Sequence, residues 1–369
     1  MKNKFVCLEK KVNKLFKQAC FDRLFSGAAI GIALHVGQKR KVFTGCYGNT
    51  SFSSDDIVTP STFFDLASLT KPLVTTLAVL SLIKENKLTL DSCLANYFEL
   101  EITDEKRDIK IYHLLSHCSG LSAYRPFYKE FSHYSLSERK EVICQSILEE
   151  KLEYIPQTKS VYSDLGFILL DSIIEKITGT SLDKYIRDKF KKLYGSTQHL
   201  AFNPLKKNIK NCAATEKCPW RKKVLCGEVD DENTFFVGGV SGQAGLFGTI
   251  DGVLNITTHI FDIWKGVDTN PNIEREQLEY FLEAKKVISS SWVMGFDTPS
   301  PEYSSGGKYL SNTSVGHLGF TGTSFWIDPE KELVMVLLTN RVHPTRDNET
   351  IRQFRPLFHD VVIESLGLI

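Results

Sequence analysis

The strongest constraint on the fold of this chain is the position of its strand-like segments, which lie at the two ends and not in the middle. Apolar runs separated by turn residues predict a strand pair within residues 27–45. Further strands are predicted at residues 291–296, 314–319, 324–327 and 332–338. Between residues 70 and 200 the apolar residues recur at helical spacing instead. The sequence therefore predicts a sheet made from both ends of the chain, with an all-helical lobe inserted between them.

This pattern also suggests a division of the chain into two parts. We expect a sheet domain made of residues 1–62 and 288–369, and a mainly helical lobe at residues 63–287, with the active site in the cleft between them. Helices at residues 4–25 and 348–366 would flank the sheet. The polar stretch at residues 200–236 is expected to be irregular.

Charge and cysteine usage limit the partners of the protein. Lys and Arg number 45 against 44 Asp and Glu, so the chain has no overall field that would attract nucleic acid or an anionic membrane. We expect no nucleic-acid partner and no integral membrane segment. Nine scattered cysteines favour reduced thiols over a disulfide framework. Because the N-terminus lacks an apolar signal-peptide core, the expected compartment is the cytoplasm.

A serine and a lysine lie three residues apart at the start of an apolar helical stretch, at Ser68 and Lys71. At this spacing the Lys71 amine faces the same side as the Ser68 hydroxyl. The arrangement suits a nucleophile with a proton acceptor beside it, and the positive end of a helix would favour an oxyanion forming on the substrate. The alternative without a catalytic role is a helix-capping serine followed by a solvated lysine.

Other polar features stand out downstream. Tyr162 and Asp164 flank Ser163 at the start of a predicted helix, and a glycine-rich stretch surrounds Gln243. Near the C-terminus an apolar strand ends in a polar, glycine-rich segment that contains His317, Gly319, Phe320, Thr321 and Thr323. His113 and His117 have a spacing that zinc sites use, but no acidic partner follows them, so we interpret both as structural residues. No metal site and no cofactor are predicted.

Taken in this order, the three features resemble the motifs of the serine β-lactamase and penicillin-binding protein superfamily. The resemblance is to its class C β-lactamase-like branch of D-alanyl-D-alanine carboxypeptidases and esterases, and within it to the penicillin-binding protein 4B type. Ser68 and Lys71 match the Ser-x-x-Lys motif, Tyr162 to Asp164 stand in place of Tyr-x-Asn, and His317 to Gly319 in place of Lys-Thr-Gly. This resemblance implies an α/β fold of the α+β type, with an antiparallel sheet flanked by helices.

The resemblance also implies a role for each residue. Ser68 would be the nucleophile, and either Lys71 or a Tyr162 phenolate could be its base. Tyr162 is preferred, because Asp164 would favour the ammonium form of Lys71. The backbone N–H groups of Ser68 and Phe320 would form the oxyanion hole.

The remaining site residues would serve catalysis or substrate binding. His317 would stabilise the Tyr162 phenolate or hold a substrate carboxylate in a pH-dependent way near neutrality. The predicted substrate-binding residues are Asp164, Gln243, Gly319, Phe320, Thr321 and Thr323.

The predicted function is a serine hydrolase that forms an acyl-enzyme with a D-Ala-D-Ala-type peptide, a β-lactam or a small ester. Leu318 lacks the hydroxyl of the Lys-Thr-Gly version, so β-lactam turnover is expected to be slow. The alternative is a catalytically silent protein that binds a ligand or partner in the same cleft. The resemblance also gives the cell envelope as an alternative compartment.

Overall fold

The computed structural model describes residues 2–36, 39–98, 102–194, 198–285, 287 and 289–369. In chain order the strands are β1 (Gly27–Val36), β2 (Lys39–Gly48), β3 (Phe64–Asp65), β4 (Leu200–Phe202), β5 (Ala214–Cys218), β6 (Lys223–Cys226), β7 (Leu246–Gly248), β8 (Val315–Leu318), β9 (Ser324–Asp328) and β10 (Leu333–Thr339). A five-stranded antiparallel sheet has the order β2-β1-β10-β9-β8, so both ends of the chain build it, as the sequence predicts. Strands β3, β7 and β4 form a second, smaller sheet beside the nucleophile segment.

The helices are α1 (Lys2–Phe21), α2 (Leu77–Lys84), α3 (Ile111–Leu115), α4 (Phe127–Glu130), α5 (Arg139–Glu149), α6 (Asp164–Thr178), α7 (Leu182–Lys189), α8 (Lys191–Tyr194), α9 (Glu232–Phe236), α10 (Ile250–Trp264), α11 (Arg275–Glu283) and α12 (Ile351–Leu366). Short 3₁₀ turns and one π-helical segment join some of them. Between β3 and β4 the described residues contain helices and turns but no strand, which agrees with the predicted helical region. The proposed boundaries of the two domains stay a prediction.

The two central strands of the large sheet are apolar along almost their whole length, because helices cover both faces. Strand β10 is buried throughout and β1 is buried except at its last residue, whereas the edge strand β2 is largely exposed. On one face α1 packs against α12, where the Phe16 ring makes an edge contact with the Phe354 ring at 5.1 Å. On the other face α10 approaches β1 so closely that a Cβ atom on Gly31 would lie 3.1 Å from Leu254.

Two local predictions were wrong. The stretch at residues 200–236 is not irregular: it contains β4, the β5–β6 hairpin and α9. The predicted strand at residues 291–296 is only an isolated bridge between Trp292 and Asp297, and a turn at Gly295 with φ of +80° separates the two. In the first segment β4 pairs with the distant strand β7, whereas the second segment turns at Gly295 and pairs mainly with itself, and local residue patterns reveal neither arrangement.

One stretch in the described residues, Ala67–Lys84, is long and apolar enough to meet a length-and-composition test for a membrane span. It lies at the start of the helical region, and 83% of it is buried inside the protein. That burial is what the central helix of a folded core shows.

Candidate active site

Ser68 lies on a sharp turn between β3 and α2 that lifts its side chain out of the core. The neighbouring residues Ala67 and Leu69 are buried, while Ser68 is partly exposed to a cavity. Ala67 has φ of +47°, a left-handed conformation that costs a non-glycine residue about 1–2 kcal/mol. The Asp65 carboxylate accepts a hydrogen bond from the Ala67 N–H at 2.8 Å and thereby stabilises the turn. Such strain, held in place by a buried partner, is typical of functional sites.

Lys71 is fully buried beneath Ser68 and is held by three acceptors. Its Nζ donates to Ser68 Oγ at 3.1 Å, to Asp164 Oδ1 at 2.6 Å and to the backbone oxygen of Gln243 at 3.1 Å. Burial lowers the pKa of Lys71, but Asp164 and Tyr162 outweigh burial, so the net pKa is raised. Lys71 is therefore a fixed positive charge at neutral pH.

Tyr162 lies over this cation, with the Lys71 Nζ 4.9 Å from its ring centroid. Its hydroxyl interacts with both Lys71 and Ser68. Burial raises the pKa of Tyr162, Lys71 opposes this, and the Asp164 charge adds to the rise, so the phenol form dominates at rest. Ser163 caps helix α6 and so fixes Tyr162 and Asp164 on either side of Lys71.

His317 and His117 pack around Tyr162 together with Trp292. The Trp292 ring centroid is 5.1 Å from that of Tyr162 and 5.4 Å from that of His317, and His117 is 4.6 Å from Tyr162. Burial lowers the pKa of His317 to about 3, with Lys71 adding to the effect, so the imidazole is neutral at pH 7. This value contradicts the predicted titration of His317 near neutrality.

Backbone partners fix the tautomers of the two neutral histidines. His317 Nδ1 lies 2.8 Å from the Leu318 carbonyl oxygen, so it carries the proton and leaves Nε2 as an acceptor. His117 Nδ1 accepts from the Ser163 N–H at 3.1 Å, so its proton is on Nε2. Neither Nε2 atom has a hydrogen-bond partner among the described residues. In this tautomer His317 can accept a hydrogen bond at the site but cannot donate one from Nε2 to a phenolate.

The segment after β8 is fastened to the nucleophile turn. Thr321 Oγ1 donates to the Asp65 carbonyl at 2.7 Å, and Thr323 Oγ1 donates to the Leu66 carbonyl at 3.1 Å. A Cβ atom on Gly319 would lie 2.7 Å from the same Leu66 oxygen, so the approach requires glycine. Both threonine hydrogens are committed to backbone carbonyls, which favours a positioning role over the predicted contact with substrate.

Two connected cavities open onto Ser68, Tyr162 and Phe320. We call the first the acidic arm: it has a volume of about 610 Å³ and is lined by Asp230, Asp231 and Glu232 with Tyr124 and Tyr128. Gln243 also lines it, but its side-chain amide is engaged by Ser241 and Thr234. We call the second the basic arm: it has a volume of about 490 Å³ and is lined by Trp292 and His317 and by four arginines, Arg341, Arg346, Arg352 and Arg355, of which Arg346 also lines the acidic arm. Phe320 is 47% exposed at the junction of the two arms.

The structure thus brings the predicted residues Ser68, Lys71, Tyr162, Asp164 and His317 to one place. Trp292 is not among the predicted site residues, since it falls in a segment predicted to be a strand, and His117 was interpreted as a purely structural residue. Nothing in the sequence around Trp292 indicates that its side chain lies next to Tyr162 and His317. His117 lies in a stretch that the family resemblance covers, and its left-handed backbone, with φ of +53°, marks it as unusual only in the structure.

Comparison with known proteins places these features in a family. The Beta-lactamase family model matches residues 12–358. A protein of Escherichia coli K12 named "Putative D-alanyl-D-alanine carboxypeptidase" is 32% identical over 311 residues, which cover 77% of this chain and 70% of that protein. The N-acetylmuramyl-L-alanine amidase of Bacillus subtilis 168 is 32% identical over 314 residues, which cover 78% of this chain and 70% of that protein.

A solved structure shares the fold. EstCE1, described as a hydrolase with promiscuous acyltransferase activity, superposes with a TM-score of 0.73. The match covers 95% of this chain and 98% of EstCE1 at 19% sequence identity. At that identity the likeness concerns the fold alone.

Proposed function

Since this chain belongs to the beta-lactamase family and is a serine hydrolase, we propose that it acts through an acyl-enzyme on Ser68 and cleaves a peptide that ends in a free carboxylate. The observation that carries the proposal is the position of Lys71, which contacts Ser68 Oγ and Asp164 while Tyr162 lies beside both. A buried ammonium next to a serine and a phenol can activate a nucleophile without any metal or cofactor.

In the proposed acylation step, Tyr162 in its phenolate form takes the proton from Ser68 Oγ as that oxygen attacks the substrate carbonyl. Lys71 stays protonated and stabilises the phenolate through its charge. Because burial raises the pKa of Tyr162, the phenolate is scarce at neutral pH, and the rate should rise with pH. The backbone N–H groups of Ser68 and Phe320 would stabilise the oxyanion, each donor contributing roughly 10²- to 10³-fold to turnover.

Collapse of the tetrahedral intermediate breaks the bond to the leaving amine, which takes the proton now held by Tyr162. Water then enters, gives a proton to the Tyr162 phenolate and attacks the acyl-enzyme. The second intermediate releases the carboxylic acid, and Ser68 Oγ recovers its proton from Tyr162. Tyr162 thus serves as base and as acid in both halves of the reaction, with Lys71 and Asp164 holding it in place.

The basic arm supports a leaving group with a carboxylate. Four guanidinium groups line it, and Nε of the buried Arg355 has no hydrogen-bond partner among the described residues. A guanidinium suits a carboxylate because it offers paired donors in one plane. The names of the Escherichia coli and Bacillus subtilis relatives support a peptide substrate of this kind.

A small ester is the second candidate substrate. Leu318 replaces the hydroxyl residue of the Lys-Thr-Gly motif, and the neutral His317 replaces its lysine, so the site lacks two polar groups for a β-lactam or peptide carboxylate. This observation favours ester hydrolysis over β-lactam turnover.

Parallel rates with a nitrophenyl ester, a D-Ala-D-Ala peptide and a chromogenic cephalosporin would test the proposal. We expect the peptide to give the highest kcat/KM and the cephalosporin the lowest, with all activity lost in Ser68→Ala. If Ser68→Ala keeps full activity, the proposed acyl-enzyme on Ser68 is wrong. If none of the three substrates is cleaved, the catalytically silent alternative is favoured.

For the compartment, the names of the relatives support the cell envelope, the alternative to the cytoplasm given by the sequence. Fractionation of the native producing cells, with activity measured in each fraction, would decide between the two.

A further inference from the structure

The acidic arm contains more negative than positive charge, and the excess lies close to the nucleophile. Asp230, Asp231 and Glu232 are consecutive residues that line it, and Asp164, which contacts Lys71, lines it as well. Arg346 and the exposed Lys129 are the cationic side chains that also line it. The net charge that the arm presents to a ligand therefore depends on which carboxylates are already paired with these cations.

Arg346 and Lys71 are each hydrogen-bonded to particular carboxylates. Arg346 binds Glu216 through Nε at 2.6 Å and Glu232 through Nη2 at 2.8 Å. Lys71 binds Asp164 at 2.6 Å. Asp231 accepts from the Thr234 N–H at 2.6 Å as the cap of α9, which is a hydrogen bond from a neutral group. No hydrogen-bonded cation therefore remains for Asp230 and Asp231 among the described residues.

Asp230 is the more informative of the two. Its side chain is only 2% exposed, it lines the acidic arm, and its Oδ1 has no hydrogen-bond partner among the described residues. Burial raises its pKa to about 6, the neighbouring Glu216 adds to the rise, and Arg346 and the Thr215 side chain only partly oppose it. A buried carboxylate oxygen without a partner is costly, so a cation that enters the arm would relieve that cost.

The other walls of the arm favour an organic cation over a metal ion. Tyr124 and Tyr128 line it, and aromatic faces attract ammonium groups. In the described part of the chain no three histidine, cysteine or acidic side chains converge in a way that could hold a metal ion. Carboxylates beside aromatic rings are instead a suitable environment for a primary amine.

We propose that the acidic arm is a subsite for a primary ammonium group on the acyl portion of the substrate, such as a free N-terminus or the side-chain amine of a diamino acid. The assignment to the acyl portion rests on the proposed function, in which the leaving carboxylate occupies the basic arm. The two arms would then select substrates with a positive charge on one side of the scissile bond and a negative charge on the other.

Matched ester substrates test this subsite. The p-nitrophenyl esters of 6-aminohexanoic acid and of hexanoic acid differ only in the terminal ammonium. At pH 8 and low salt we expect at least a tenfold higher kcat/KM for the amino ester, and Asp230→Asn should reduce that ratio at least fivefold. Asp188→Asn, which changes an exposed carboxylate on α7, is the matched control and should keep the ratio.

Calorimetric titration of the wild-type protein with 6-aminohexanamide and with hexanamide provides a readout that needs neither turnover nor a variant. Tighter binding of the amine, weakened by salt, supports the subsite, and equal or weaker binding overturns it. Ser68-dependent ester hydrolysis without any preference for the amine would overturn the subsite and leave the proposed function standing. Amine binding without hydrolysis of either ester would overturn the proposed function and leave the subsite standing.

Discussion

Removing the charge of Asp164 tests the central electrostatic feature of the site. In Asp164→Asn the amide oxygen can still accept a hydrogen bond from Lys71 Nζ, now 2.6 Å from Asp164 Oδ1, but the negative charge is lost. Lys71 is fully buried, so its ammonium would keep only neutral acceptors, namely Ser68, Gln243 and the new Asn side chain. We expect the variant to be clearly less stable than the wild type.

The size of the effect follows from the geometry. Two unit charges 2.6 Å apart attract by about 6 kcal/mol at an effective dielectric constant of about 20. Desolvation offsets part of this attraction, and removing one partner of a buried pair typically costs about 3–5 kcal/mol. Asp164 is 22% exposed and Asn keeps an acceptor, so we expect a loss near the lower end, about 3 kcal/mol. In a chain of 369 residues that loss lowers Tm by about 4 °C.

A double-mutant cycle measures the interaction itself. The free energy of unfolding would be determined by urea titration at pH 7.5 for the wild type, Asp164→Asn, Lys71→Met and the double variant, with Asp188→Asn as a surface control. We expect the double variant to lose at least about 2 kcal/mol less than the sum of the two single losses. Losses that add to within about 0.5 kcal/mol would refute the reasoning.

The pH dependence of the same cycle has a defined sign. The pKa of Lys71 is raised above the ordinary lysine value of 10.5, so the stability that its charge provides is complete below about pH 10.5 and is lost as the pH rises through the folded-state pKa. From neutral pH upwards, the difference between wild type and Asp164→Asn should therefore shrink only in strongly alkaline solution. A difference that disappears between pH 6 and 8 would contradict this assignment.

Two further predictions concern the reaction. Wild-type kcat/KM for a neutral ester should rise from pH 6 to pH 9, because the raised pKa of Tyr162 leaves its phenolate scarce at neutrality. Tyr162→Phe should lower kcat/KM by about 10²- to 10⁴-fold. A flat pH profile or an active Tyr162→Phe would contradict the role of this residue. In Gly319→Ala the new Cβ would lie 2.0 Å from Thr323 Oγ1 and 2.7 Å from the Leu66 oxygen. We expect kcat to fall at least tenfold, roughly the loss expected when an oxyanion donor shifts. The control is Gly166→Ala in helix α6, where the nearest atom is at 3.5 Å and kcat should be kept.

Much of the fold was predictable because its periodicities are strong and local. The apolar runs of β1 and β10 and the helical spacing of α6 and α10 are visible in the sequence, and α6 begins at Asp164, where the start of a helix is predicted. The β5–β6 hairpin was missed because its strands are only five and four residues long and mix polar with apolar residues. Backbone N–H groups of β5 also donate to Thr50 and Pro344, which are distant in the sequence. The same limitation explains the false strand at residues 291–296.

The site was predictable only where motifs name the residues. The motifs supplied Ser68, Lys71, Tyr162 and His317, but nothing in the sequence states how deeply each is buried. Burial lowers the pKa of His317 far below neutrality and raises that of Tyr162, which changes what each can do at pH 7. Likewise, the sequence suggested hydroxyls for the substrate at Thr321 and Thr323, whereas the folded chain uses both to hold the nucleophile turn.

The most direct test of the account is to trap the nucleophile. The intact mass of the wild-type protein and of Ser68→Ala would be measured after exposure to a fluorophosphonate and to a penicillin, followed by peptide mapping of any adduct. The account predicts one stoichiometric fluorophosphonate adduct on Ser68, a slower penicillin adduct on the same residue, and neither in Ser68→Ala. An adduct on another residue, or ester hydrolysis that continues unchanged in Ser68→Ala, would contradict it.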